Sequence, residues 1–129
     1  MIPFCLDQGI GILPWSPLAR GLLAGKRRTK TVRAETDTYG HQLYGEQISE
    51  TDERVIKRLE ELTAASGVSP ARMALAWLLQ KPGVVAPIIG ASKASHIEDA
   101  VGALDVPLDS DTIARLEDPY LPHAVAGIA

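Results

Sequence analysis

Sulfur is scarce in this sequence: Cys5 is the only cysteine among 129 residues. An internal disulfide is thereby excluded, and the composition fits a reducing compartment, from which a cytoplasmic protein is expected. Only three histidines are present, and they lack chelating spacing, so no metal site is expected. No apolar run reaches the about 18 residues that a membrane span requires, and Met1, Ile2, Pro3 and Phe4 do not form a secretory signal. Basic residues do not dominate either. The formal net charge is -3, which gives no global field to attract nucleic acid. The one basic cluster, Lys26, Arg27 and Arg28 with Lys30 and Arg33, lies in a polar stretch and reads as a solvated loop. Internal repeats are missing, and Ser16 stands in no G-x-S-x-G elbow.

What is there is organised around residues 84–104, VVAPIIGASKASHIEDAVGAL. A β-branched run without polar alternation stops at Gly90, which suits a strand covered on both faces of a parallel sheet. A polar turn follows, and Ser95 with Glu98 three residues later has the form of a capping box opening a helix. Ile97, Val101 and Leu104 are spaced to bury one stripe of that helix. Its first turn then offers free N–H groups and the positive dipole end at the carboxyl end of a strand, a corner suited to anions, with Lys93 adding charge.

An apolar, uncapped stretch ending at Gly9 reads as the tail of a helix whose beginning is missing. Ile10 to Leu13 form the first buried strand candidate, with Pro14 at its carboxyl end or beside a bulge, since proline donates nothing to a ladder. The glycines and small residues of 16–26 allow close backbone approach to a ligand, and Ser16, Arg20 and Lys26 are donors suited to phosphate oxygens. Residues 26–50 are polar and aperiodic, one long loop, where Tyr39, His41 and Tyr44 read as surface anchors. Thr51 or Ser49 caps a helix burying Val55, Ile56, Leu59, Leu62 and Ala65. Ser69, with Pro70 following, caps a second helix, apolar on most faces, in which Trp77 reads as core. Asp109 or Ser110 caps a last helix containing Ile113 and Leu116, and a proline-broken tail closes the chain.

Two buried-type strands joined by helices make about one crossover, with two edges and no closed core. A (β/α)8 barrel takes roughly 250 residues, about twice this length. The segments PWSPLARGLLAGK at 14–26, ALAWLL at 74–79, PIIGASK at 87–93 and EDPY at 117–120, in this order and spacing, resemble the C-terminal part of aldo-keto reductases. The resemblance covers nearly the whole chain. It implies a partial (β/α)8 TIM barrel, an α/β fold with two parallel strands and about four helices, treated as one segment over 1–129 with the long loop at 26–50.

The same resemblance implies NADP(H) as cofactor and a small carbonyl compound as substrate. The loop carrying Trp15, Ser16, Pro17, Leu18, Ala19 and Arg20 would face the pyrophosphate, with Lys26 clamping from further along. Gly90, Ser92, His96 and Asp99, with Lys93, would hold the 2′-phosphate and adenine end. Ser92 stands where many relatives carry Arg, and Ala100 where many carry Asn, so positive charge at this corner comes from Lys93. The family's proton donor Tyr, its Lys and Asp partners and its orienting His come from early strands and have no counterpart here. Tyr39, Tyr44, Tyr120, His41 and His123 belong to loops or the tail, so no catalytic residue is assigned. The expectation is therefore the C-terminal portion of a reductase from a truncated or split reading frame, with negligible turnover alone. A binding or assembly module that self-associates or pairs with an N-terminal half through strand edges, and a nonfunctional remnant, are the rival readings.

Overall fold

A computed structural model describes residues 1–25 and 49–122 of the chain, and the limits of its elements follow from local chemistry. Helix α1 (Ile2–Asp7) has Pro3 in its first turn and no side-chain cap. It ends at Gly9, where φ is 65°. There Ile10 N–H donates to Cys5 O at 2.8 Å and Gly9 N–H to Leu6 O at 3.3 Å, the paired bonds of a Schellman motif. Helix α2 (Glu50–Ser66) opens on a reciprocal cap: Asp52 N–H donates to Ser49 Oγ at 3.1 Å, and Ser49 N–H donates to Asp52 Oδ2 at 3.3 Å. Left-handed Gly67 ends it. Ser69 caps α3 (Pro70–Leu79) by accepting from Arg72 N–H at 3.3 Å.

Helix α4 (Ala94–Gly102) runs into a 3-10 turn, Ala103–Asp105. Helix α5 (Ser110–Glu117) is capped by Asp109, whose Oδ1 accepts from Thr112 N–H at 2.8 Å. That bond holds the Asp109 carboxyl below its usual range. The capping box expected from Ser95 and Glu98 does not form. Lys93, in extended conformation, is the N-cap residue, and no side chain caps the helix. Ser95 is already inside the first turn, two residues past the cap position where its hydroxyl would meet the orphan amides.

The core is built from facing helices. Leu59 and Leu62 of α2 meet Met73 and Ala74 of α3, and Ile56, Leu75, Ala76 and Ala103 are also buried. Thr63 is buried in place of the expected Ala65, which is exposed; its hydroxyl is satisfied by donating to Glu60 O at 3.0 Å. Leu18, Leu23, Val68, Leu108 and Leu116 pack around this cluster. The segment 15–25 is therefore anchored on the helical core through Leu18 and Leu23.

Two extended segments lie side by side. Ile12 pairs with Val84 and Trp15 with Ile88, both in parallel sense. Among the described residues these are isolated bridges rather than the two continuous strands expected, and proline accounts for the break. Ile12 N–H donates to Gly83 O at 2.8 Å, and Val85 N–H to Ile12 O at 3.0 Å. Continuing that register would require N–H donors from Pro14 and Pro87, which have none. Pairing resumes out of step, three residues on one side against four on the other, with Ile88 N–H donating to Pro14 O at 2.8 Å. Pro14 thus sits beside a bulge-like slip.

The apolar faces of these segments are not covered on both sides, contrary to the reading of Ile10 to Leu13 as a buried run. Ile10, Leu13, Trp15, Val85 and Ile88 are all exposed, Val85 at 67%. Ile97, Val101 and Leu104, expected to bury a stripe of α4, are also exposed. With Leu75, Val85 and Ile89 they line a shallow apolar groove. The sequence pattern is that of interior strands, while the described elements cover only part of each face. None of the described helices is long and apolar enough to cross a membrane.

Candidate functional site

Parallel pairing has one consequence for chemistry: the chain leaves both extended segments at the same end. The loop beginning at Trp15 and the turn beginning at Gly90 therefore emerge beside each other, Gly90 only two residues, or about 7 Å, beyond the bridge at Ile88. In parallel α/β folds this carboxyl end is where ligands sit.

The first loop is strained. Ser16, Ala19 and Arg20 have φ of 51°, 46° and 57°, and Gly21 follows at 99°. A left-handed non-glycine residue costs roughly 1–2 kcal/mol. The loop is held in this shape from both sides. Inside it, Ala19 N–H donates to Ser16 O at 2.9 Å, and Leu18 O accepts from Gly21 N–H at 2.9 Å and Leu23 N–H at 3.2 Å. Outside, Leu18 and Leu23 pack into the core. Successive turns of this kind curve the backbone into concavities lined by N–H groups. Ser16, Pro17 and Leu18 are half-buried, and Trp15, Ala19 and Arg20 exposed. Lys26 lies outside the described residues, as do Tyr39, His41, Tyr44, His123 and the basic cluster that begins at Lys26.

In the second element Gly90, Ser92 and Lys93 are exposed and His96 is half-buried. The first turn of α4, lacking a side-chain cap, presents orphan amides and the positive end of the helix dipole. Asp99 is engaged elsewhere. Arg72 Nε donates to its Oδ1 at 2.9 Å, and Ser69 Oγ donates to the same oxygen at 3.5 Å. The pair ties α4 to the first turn of α3. Sequence reading found Ser69 as a cap but not this contact, since nothing in the spacing links positions 27 residues apart.

A second polar cluster lies at the other end of α3. Trp77 Nε1 donates to Glu117 Oε1 at 2.8 Å, Lys81 Nζ contacts the same oxygen, and Lys81 Nζ stands 4.5 Å from the Trp77 ring centroid. Trp77 is thus half-buried and hydrogen-bonded rather than simply core. Lys81, then Trp77, hold the Glu117 carboxyl below its usual range. This clamp joins α3 to α5 where the chain enters the second extended segment, and a barrel's amino-terminal end serves stability. Among the described residues no group of three metal-ligating side chains occurs.

Parallel segments backed by helices, with two loops gathered at their carboxyl end, define an α/β architecture. The Aldo/keto reductase family model matches residues 1–120, and the chain belongs to that family. Versiconal hemiacetal acetate reductase of Aspergillus parasiticus is 41% identical over 126 residues, covering 97% of this chain and 36% of the relative. An aldo-keto reductase of Metarhizium robertsii is 35% identical over 130 residues, covering 98% and 34%. The crystal structure of a thermostable aldo-keto reductase in complex with the inhibitor epalrestat superposes with a TM-score of 0.60 at 24% identity, over 91% of this chain and 32% of that one. The chain thus spans about a third of the length of the proteins it matches, and its fold is a fragment of the (β/α)8 barrel.

Proposed function

We propose that this chain forms the cofactor-phosphate corner of an NADPH-dependent aldo-keto reductase that converts aldehydes or ketones to alcohols. It would contribute the seventh and eighth strands of the barrel with their helices. The observation that carries this reading is the parallel register that gathers the 15–20 loop and the 90–93 turn at one end of the fold. The left-handed backbone of 16–21 suits the pyrophosphate, approached by Trp15, Ser16, Pro17, Leu18, Ala19 and Arg20, with Lys26 closing from beyond. The uncapped first turn of α4, with Gly90, Ser92, Lys93 and His96, suits the 2′-phosphate. When bound, NADPH supplies the hydride. This chain's residues hold its phosphates, and the Tyr, Lys, Asp and His of the family's proton-transfer machinery would have to come from another segment. A cytoplasmic location fits such a reductase.

Titration of the 129-residue chain with NADPH, followed by the change in nicotinamide fluorescence, tests the binding. Saturable binding stronger for NADPH than for NADH is expected, with no oxidation of NADPH by a reactive aldehyde above background. Absence of binding defeats the cofactor reading, and robust protein-dependent turnover defeats the assignment of catalysis elsewhere. The exposed apolar faces at Leu13, Trp15, Val85 and Ile88 favour a second reading, an assembly module whose edges pair with another copy or with a complementary half-barrel. Sedimentation separates the two: a monomer that binds NADPH supports the first, and a defined oligomer that does not bind supports the second.

A further inference from the structure

The family resemblance assigns Asp99 to the nucleotide, but the structure gives its carboxylate another partner. Its Oδ1 accepts from Arg72 Nε at 2.9 Å and from Ser69 Oγ at 3.5 Å. Ser69 Oγ also accepts from Arg72 N–H at 3.3 Å, so three polar groups close on one another at the junction of α3 and α4. The guanidinium has room there because residue 102 is glycine. A Cβ on Gly102 would stand 2.8 Å from Arg72 Cζ and 2.9 Å from its Nε. A larger residue at 102 would push the guanidinium off the carboxylate.

We infer that Arg72 and Asp99 are positioning residues of the nucleotide corner: Arg72 neutralises Asp99 and holds the second turn of α4 against α3, and Asp99 is not itself a nucleotide ligand. The inference rests on the cofactor reading above. Asp99 follows Lys93 by six residues, about 9 Å along the helix axis, close to one Debye length at 0.1 M salt. An uncompensated carboxylate at that distance opposes a 2′-phosphate by a few-fold in affinity, more at low salt. Both side chains are about two-fifths exposed, Arg72 at 41% and Asp99 at 38%, so a modest effect is the right scale.

Calorimetric titration of the full chain with adenosine 2′,5′-bisphosphate and with 5′-AMP tests this. Arg72→Gln should weaken the bisphosphate about threefold at low salt, change 5′-AMP less, and lose the difference at 0.5 M salt. Adding Asp99→Asn to Arg72→Gln should recover the affinity, Arg72→Lys should retain it, and Asp99→Asn alone should stay within twofold of the unmodified chain. A merely structural pair would alter melting temperature without altering the ratio of the two affinities. If Asp99→Asn alone weakens both nucleotides tenfold or more, Asp99 is a ligand and the inference fails while the cofactor reading stands. Unchanged affinity in Arg72→Gln at low salt also overturns it. If the unmodified chain binds neither nucleotide, both readings fall together. Should Arg72→Gln not fold, Arg72→Lys and the isosteric Asp99→Asn carry the same decision.

Discussion

Gly83 is the residue at which the fold's tolerance can be measured most sharply. Its φ of 83° is left-handed, and a Cβ built on it would lie 2.8 Å from Leu6 Cδ2 and 3.2 Å from Ile12 Cδ1. Alanine at 83 therefore incurs two separate costs. The backbone contributes about 1–2 kcal/mol, and displacing packed side chains contributes about 1–3 kcal/mol. Leu6 is exposed and can swing aside, whereas Ile12 is half-buried and β-branched, stiff at χ1. The packing cost should accordingly fall in the lower half of its range. Gly67 supplies the control: its φ is 72°, and a Cβ there meets nothing within 4 Å. Gly67→Ala should show the backbone cost alone. For a chain of this size about 4 °C of melting temperature corresponds to 1 kcal/mol, so Gly83→Ala should melt about 4–8 °C below Gly67→Ala. Because Gly83 O accepts the Ile12 amide at 2.8 Å, hydrogen exchange at Ile12 should also accelerate in Gly83→Ala and not in Gly67→Ala. Equal melting temperatures, with Ile12 equally protected, would refute the packing argument.

Two further outcomes follow from the packing and the charges. Leu59, at 3% exposure between α2 and α3, should cost about 2–5 kcal/mol when replaced by alanine, read as a lowered urea midpoint; a change under 1 kcal/mol would mean that the α2 and α3 interface collapses around the gap. Glu117 has a folded-state pKa below its ordinary 4.5, through Lys81 and then Trp77. Its contribution is therefore present above that value and lost as pH falls through the depressed one. Glu117→Gln should lower the melting temperature at pH 7 and shrink the loss on acidification below about pH 4.5, and an acid limb identical to that of the unmodified chain would remove Glu117 from the account.

The helices were largely legible because their limits are local. Ser49, Ser69, Asp109 and Gly67 each act within a few residues of their own position, and each was readable as a start or a stop. Ser95 misled because a capping pattern holds only if the helix has not already begun, and the extended Lys93, two residues earlier, is the N-cap. The direction and pairing of the two extended segments also followed from the pattern of β-branched residues between helices. Their interruption needed both prolines considered together, since Pro14 alone marks an end and only Pro87 opposite it forces the register to slip. Burial was read too generously at Ile97, Val101, Leu104 and Val85, because an interior sequence pattern records what a face is made for and not what covers it. The contacts of Asp99 with Arg72 and of Glu117 with Trp77 join positions 27 and 40 residues apart, and no periodicity signals such distances.

The slipped pairing at Pro14 and Pro87 has a mechanical meaning. With neither proline able to donate across the pair, the mouth of the fold at Trp15 and Ile88 is joined to its base at Ile12 and Val84 by a joint instead of an unbroken seam. A displacement at the mouth is therefore less tightly coupled to the foot of the pair than an unbroken ladder would make it.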